Sequence, residues 1–311
     1  MLPKHSVPDA ASVHHHQVED GRNDRYIITL LGPHEEDTLD TVEMLASLRH
    51  VASAAPVLIF HEPSANASAL QRLREAAPTG RELRFATMMF GPDPPTNWAP
   101  NSTFAKRSMW GYQHMCTFFF ERFLHHPALA HARYVWRMDG DSCFQGPVPD
   151  LFAHMEARPN LSYVSLRARS ISTCRSALRQ RYSRGMGSLY RQFRAEHGLP
   201  GDPEVTAACV PSYSTNFEVM RLDTMRGSQL FYEWARTVER STNIFRHRWG
   251  DAELRRLAFR LMDITPTSAG GVEWLEDLAP EAAYKHPCRR HKRRHLFVSK
   301  DTDGSRMTVL E

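Results

Sequence analysis

Two aspartates stand one residue apart in the stretch YVWRMDGDS: Asp139 and Asp141, directly after the apolar run Tyr134 to Met138. A carboxylate pair at the end of a buried strand suits a hard divalent cation such as Mn²⁺ or Mg²⁺, which takes oxygen ligands and can bridge the two phosphates of a nucleoside diphosphate. A cation held there would neutralise charge on a diphosphate leaving group. A plain turn competes with this reading, because Asp-Gly is a common turn pair. Three later blocks, YSTNFEVMR (213–221), RHRWGDAEL (246–254) and AYKHPC (283–288), each set an ionisable group beside aromatic, Gly or Pro residues. A sugar-and-phosphate pocket is lined in that way.

Hydrophobic periodicity shows what must position these residues. RYIITLL (25–31) reads as a first strand, followed by an amphipathic helix from Thr38 to Arg49. APVLIFHE (55–62) is a second strand, SANASALQRLREAA a helix with Ser64 as its N-cap, and RELRFATMMF (81–90) a third strand. A Pro-rich connection at 91–101 leads to an apolar helix from about Ser108 to Leu124 and then to the strand that ends at the aspartates. The run at 177–198 is basic and helical in pattern, a weak strand lies near AACVPSYSTNFEVM, and helices follow from Thr224 to Thr237 and from Asp251 to Met262. Such alternation predicts an α/β protein with a parallel sheet covered by helices on both faces and a ligand at the carboxyl ends of the strands.

With 311 residues, 41% of them apolar, the chain can bury a substantial core. Lys and Arg number 39 against 35 Asp and Glu, and much of the excess sits in CRRHKRRH at 288–295, so composition argues against general nucleic-acid binding. No run reaches the roughly 18 apolar residues of a membrane span, and residues 1–24, which include His14 to His16, read as a polar, disordered leader without the apolar core of a secretory signal. The five cysteines show no zinc-like spacing. They fit two disulfides and one thiol in an oxidising compartment, or five thiols in a reducing one. Sequons at Asn66, Asn101 and Asn160 lean toward secretion.

Taken in order, GYQHMCTFFFERFLHHPAL, YVWRMDGDS, YSTNFEVMR, FYEWARTVE with RWGDAEL, and YKHPC resemble the successive blocks of the fungal α-1,2-mannosyltransferases of glycosyltransferase family 15 over about residues 25–290. The resemblance implies a GT-A-like fold: a Rossmann-like, mostly parallel sheet with helices on both faces and a D-x-D-type motif at a strand end. It also implies GDP-mannose as donor, Mn²⁺ (or Mg²⁺), retention at the sugar carbon, and a mannoside or glycoprotein-glycan acceptor. The family's WR-x-E-P-D becomes WRMDGD, so Arg137, Asp139 and Asp141 take its places, and His286 of YKHP matches a metal-binding histidine. The implied metal set is Asp139, Asp141 and His286. Glu218 of NFE matches a family glutamate, the one candidate for a far-face nucleophile. Asp251, which also reads as a helix N-cap, becomes an acceptor-side residue, and Trp249 offers a flat face for a sugar ring. Tyr112 matches a tyrosine near the donor, and Asn216 is a hydroxyl partner by type.

Three departures stand out. Asp139 replaces a glutamate, Thr117 replaces an arginine and so removes a charge partner, and ELRR after RWGDA alters the surface beside Asp251. The expected organisation is one catalytic domain over 25–290, a nucleotide-sugar half at 25–145 and an acceptor half at 146–290, with a basic tail at 291–311. Golgi luminal action, with a membrane anchor lying outside this chain, follows from the resemblance. A GT-A enzyme with a UDP-sugar donor and a carbohydrate-binding relative without catalysis are the competing readings. Nucleic-acid binding by the tail is a more distant one.

Overall fold

The computed structural model describes residues 23–90, 110–167, 182–207, 209–266 and 271–288. The leader up to residue 22, the Pro-rich connection at 91–101, the first part of the basic run and the tail at 291–311 lie outside the described residues, as does Asn101.

Among the described residues, seven strands form one sheet: β1 (Arg25–Leu30), β2 (Val57–His61), β3 (Leu83–Thr87), β4 (Tyr134–Met138), β5 (Tyr163–Leu166), β6 (Ser214–Arg221) and β7 (Val272–Trp274). Their order is β3-β2-β1-β4-β6-β5-β7. The β1–β2, β2–β3, β1–β4 and β5–β7 pairs are parallel, and β6 runs antiparallel to both β4 and β5. The mostly parallel α/β sheet expected from the sequence is therefore present. Strands buried on both faces need apolar residues at consecutive positions. Accordingly Ile28, Leu58, Phe60 and Val135 face one core and Ile27, Val57, Ile59 and Trp136 the other. The first core is covered by helices Trp110–Phe120, Gln229–Ser241 and Asp251–Leu261, and the second by helices Glu35–Ser47, Ala67–Ala76 and Leu151–Glu156.

Some boundaries differ from the sequence reading for local reasons. The cap of the second helix is Asn66, whose side chain accepts the Ser68 N–H at 2.9 Å; Ser64 lies too far upstream to do so. The helix expected at 224–237 is two helices, Leu222–Arg226 and Gln229–Ser241, because Ser228 starts a new helix by accepting the Phe231 N–H. Strands β5 and β7 are only four and three residues long and carry too little periodicity to be recognised alone.

Candidate active site

β4 delivers its aspartates to the end of the sheet where β1 also finishes. The Asp139 N–H donates to the Asn216 carbonyl at 2.9 Å, extending the β4–β6 ladder by one residue, and the Ser142 N–H then donates to the Asp139 carbonyl at 3.0 Å. Asp139-Gly140 does form a turn, and that turn is what aims the two carboxylates. Gly140 is required there because a Cβ would lie 2.7 Å from Thr41 Oγ1 of the first helix.

Asp139, Asn216 and His286 converge. The Asn216 amide Nδ2 lies 2.7 Å from Asp139 Oδ2 and 3.0 Å from His286 Nε2. Asp141 meets the other side of the imidazole, with Oδ1 at 3.1 Å from Nδ1, and Ser142 Oγ is 3.3 Å from the same nitrogen. Burial lowers the His286 pKa, but the hydrogen bond and charge of Asp141 outweigh it and the pKa is raised. Burial also raises the Asp139 carboxyl against the pull of Arg137.

His286 comes from a segment fastened to the same turn. Lys285 and Cys143 exchange two backbone hydrogen bonds, at 2.9 and 3.1 Å, and Cys143 and Cys288 form a disulfide across 145 residues of chain. Cys209 is also disulfide-bonded, while Cys116 is a buried free thiol. This matches the oxidised alternative for these cysteines. Replacing Cys143 and Cys288 together by serine is expected to lower stability by about 2–5 kcal/mol. Urea denaturation measures the loss, and an unchanged midpoint would show that the hydrogen bonds alone hold the segment.

Beneath this cluster lies a buried ionic network. Arg137 and Glu218 are cross-strand partners in the β4–β6 register. The Arg137 Nη1 donates to Glu218 Oε1 at 3.1 Å and to Asp251, while Nη2 donates to Asp139 Oδ1 at 3.1 Å. Its guanidinium lies 3.7 Å from the centre of the Phe119 ring. Burial opposes its charge, but Asp251, Asp139 and Glu218 more than compensate and hold it cationic. The second Glu218 oxygen accepts from Tyr163 OH at 2.7 Å and lies 3.5 Å from Arg255 Nε. Burial raises the Glu218 pKa, opposed by Arg255 and Arg137.

A cavity of about 1050 Å³ opens over these groups. Arg137, Asp139, Asn216, Asp251, His286 and Tyr112 all line it, together with Tyr182, Tyr213, Arg248 and Tyr284. Among the described residues, none of 23–90 reaches the cavity wall, so its lining begins at Tyr112. Asp141 and Glu218 do not line it either.

Several expectations change here. Asp139, Asp141 and His286 do not form a three-ligand cluster, and among the described residues no group of three His, Cys, Asp or Glu does. The turn sends Asp139 to the cavity and Asp141 behind the imidazole. One carboxylate and one imidazole still fit Mn²⁺ or Mg²⁺ by donor type, since such ions are commonly held by one or two side chains plus substrate phosphates. Glu218 has no exposed surface, which places it under the site instead of in it. Asp251 is no N-cap: Gly250 occupies that position, and the Asp251 carboxylate turns inward to Arg137. Trp249 is wholly buried and its indole N–H donates to the Arg184 carbonyl at 3.0 Å, so it presents no face to a sugar. Tyr112, by contrast, is 39% exposed and in the cavity wall.

The departures from the family pattern also read differently in three dimensions. Arg255 of ELRR is fully buried, not at the surface, and donates to the Phe119 and Phe120 carbonyls while facing Glu218. Thr117 itself donates its hydroxyl to the Gln113 carbonyl at 3.0 Å. No local signal marks Arg255 for burial, because its partners Glu218, Phe119 and Phe120 come from distant segments. Tyr163 had no local signal either, whereas Arg248 lies inside the RHRWGDAEL block.

The mostly parallel α/β sheet, with an acid–amide–imidazole cluster at the end of its central strand, is a fold shared with solved glycosyltransferases. A profile of the glycolipid 2-alpha-mannosyltransferase family, glycosyltransferase family 15, matches residues 99–303, and the chain belongs to that family. The probable mannosyltransferase KTR4 of Saccharomyces cerevisiae is 22% identical over 273 residues, 78% of this chain and 56% of that protein. The chain thus spans little more than half the length of this curated relative. Among solved structures, core-mannan synthase A (CmsA/Ktr4) of Aspergillus fumigatus in its Mn/GDP form aligns with a TM-score of 0.68 at 19% identity, over 87% of this chain and 76% of that one. Ktr4p of S. cerevisiae in complex with GDP aligns at 0.66 and 19% identity, over 85% and 71%. Among the described residues no helix is long and apolar enough to cross a membrane.

Proposed function

We propose that this chain is a retaining, metal-dependent α-1,2-mannosyltransferase that moves mannose from GDP-mannose to a hydroxyl of a mannose-containing acceptor in protein glycosylation. The convergence of Asp139, Asn216 and His286 in the cavity of a family 15 chain carries this reading. The family supports mannose as the sugar, and the relatives bound to GDP or to Mn and GDP support the donor and the ion.

Asp139 and the Nε2 of His286 are the residues that would hold Mn²⁺, which when bound neutralises charge on a departing diphosphate. Asp141 accepts from the imidazole at Nδ1 and so fixes which nitrogen is left to bind, as carboxylates behind metal-binding histidines commonly do. Asp251 lines the cavity with its carboxylate bonded to Arg137, and in this reading it is the acceptor-side residue. Glu218 acts from below by holding Arg137, and Tyr112 closes the cavity on the helix side. The nucleotide-sugar and acceptor halves at 25–145 and 146–290 both reach the cavity, with Tyr112, Arg137 and Asp139 from the first and Asn216, Asp251 and His286 from the second. The disulfide supports an oxidising compartment, and we place the enzyme's action in the Golgi lumen.

Nucleotide release tests the reading: GDP-mannose and a panel of UDP-sugars are offered with methyl α-mannoside, in Mn²⁺ and in EDTA. Release of GDP that requires both Mn²⁺ and the acceptor is expected. Release from a UDP-sugar alone would replace the donor, and nucleotide binding without turnover would leave a carbohydrate-binding relative.

A further inference from the structure

Arg248 is the one guanidinium of the cavity wall whose charge is unspent among the described residues. Arg137 is bonded to three carboxylates, and Arg167 is paired with Asp277 at 2.6 Å. Arg248 instead lies between two aromatic rings, its guanidinium carbon 4.1 Å from the centre of Tyr112 and 4.5 Å from that of Tyr182. It has no carboxylate or carbonyl partner among the described residues, and its buried Nε is without a hydrogen bond. The backbone there is left-handed, at φ 60°. A non-glycine residue in that region carries strain that persists where the surroundings fix it, commonly at ligand sites.

Two rings within 4.5 Å of the guanidinium carbon fill much of the space around it, which leaves the N–H groups at its edge to donate. That edge is a planar fork of N–H groups, which matches the paired oxygens of a phosphate better than a single acceptor. The two ring contacts also restrict the side chain before any ligand arrives, which reduces the ordering cost of binding. Asp251, three residues along, is already engaged by Arg137 and does not consume the charge.

We propose that Arg248, clamped by Tyr112 and Tyr182, is an oxyanion site of the cavity that takes phosphate oxygens of the nucleotide-sugar diphosphate. The identity of that diphosphate rests on the donor reading above; the oxyanion site does not. Its role would be a second positive pole for the diphosphate, separate from the Asp139–His286 cluster.

Calorimetric titration of GDP and of inorganic pyrophosphate, each with and without Mn²⁺, into the wild-type chain and the Arg248→Met and Arg248→Lys variants tests this, with circular dichroism establishing that each is folded. Methionine keeps an unbranched stem between the rings without the charge. It is expected to weaken both ligands by roughly 10- to 100-fold, the range for a lost hydrogen-bonded charge. Lysine is expected to lose less, since it retains the charge and forfeits the fork. Equal affinities in wild type and both variants would overturn the site, as would a folded wild type that binds neither ligand. Arg248-dependent binding of pyrophosphate with no binding of GDP would keep the site and remove the nucleotide reading.

Discussion

Replacing Asp139 by alanine is expected to lower metal-dependent turnover by about 10²–10³-fold, the usual loss when one preorganised charge-stabilising group is removed. Among the described residues, Asp139 is the only carboxylate that both lines the cavity and meets the Asn216–His286 pair. Asp141→Asn should cost less, about 10–100-fold, because its carboxylate orients the imidazole without facing the cavity. Turnover measured across a Mn²⁺ titration separates the two: the Asp141 variant recovers as Mn²⁺ is raised, and the Asp139 variant does not. Equal losses with equal rescue would mean that both aspartates are ligands. Unchanged turnover in the Asp139 variant would return the pair to a simple turn.

Glu218→Gln is expected to destabilise the fold by about 3–5 kcal/mol, the cost of breaking a buried ion pair by removing one partner. The change leaves the Arg255 guanidinium, which has no exposed surface, without its carboxylate. It also takes from Arg137 one of three carboxylates and from Tyr163 its charged acceptor. Urea denaturation gives the loss directly. The same variant distinguishes two roles for the glutamate. A nucleophile meeting the sugar would lose turnover and keep its stability, whereas a buried anchor for Arg137 loses both. A stability change below about 1 kcal/mol would show that the network contributes as little as a surface pair.

How much of this was readable in advance depended on how local the signal was. The apolar runs of β1, β2 and β4 are buried on both faces, and their length and composition announce a parallel sheet without help from the rest of the chain. β5 and β7 are too short to announce themselves and exist because β6 and β5 offer open edges to pair with. Asn66 took the cap from Ser64 because capping is decided by the reach of one oxygen to one N–H, a matter of a single residue.

The fold places the candidate site residues unequally. Asp139, Asn216, Asp251, His286 and Tyr112 reach one cavity although up to 174 positions separate them. Trp249 and Glu218 went into the core, where an indole N–H and a carboxylate are tolerated only because each meets a partner. Arg255 looked like surface because Arg is rarely buried. It is buried here because Glu218 and two helix-end carbonyls wait for it.

The sequence by itself determined the alternation of strands and helices, the carboxylates after β4 and the oxidisable cysteines, because these depend on residue type and near spacing. Tertiary structure alone decided that Asp139 faces the cavity while Asp141 backs the imidazole, that Cys143 joins Cys288, and that Arg248 packs against Tyr112 and Tyr182 with no carboxylate partner among the described residues. Each of those outcomes depends on which distant segments meet, and a side chain's role follows from the partners left to it after folding.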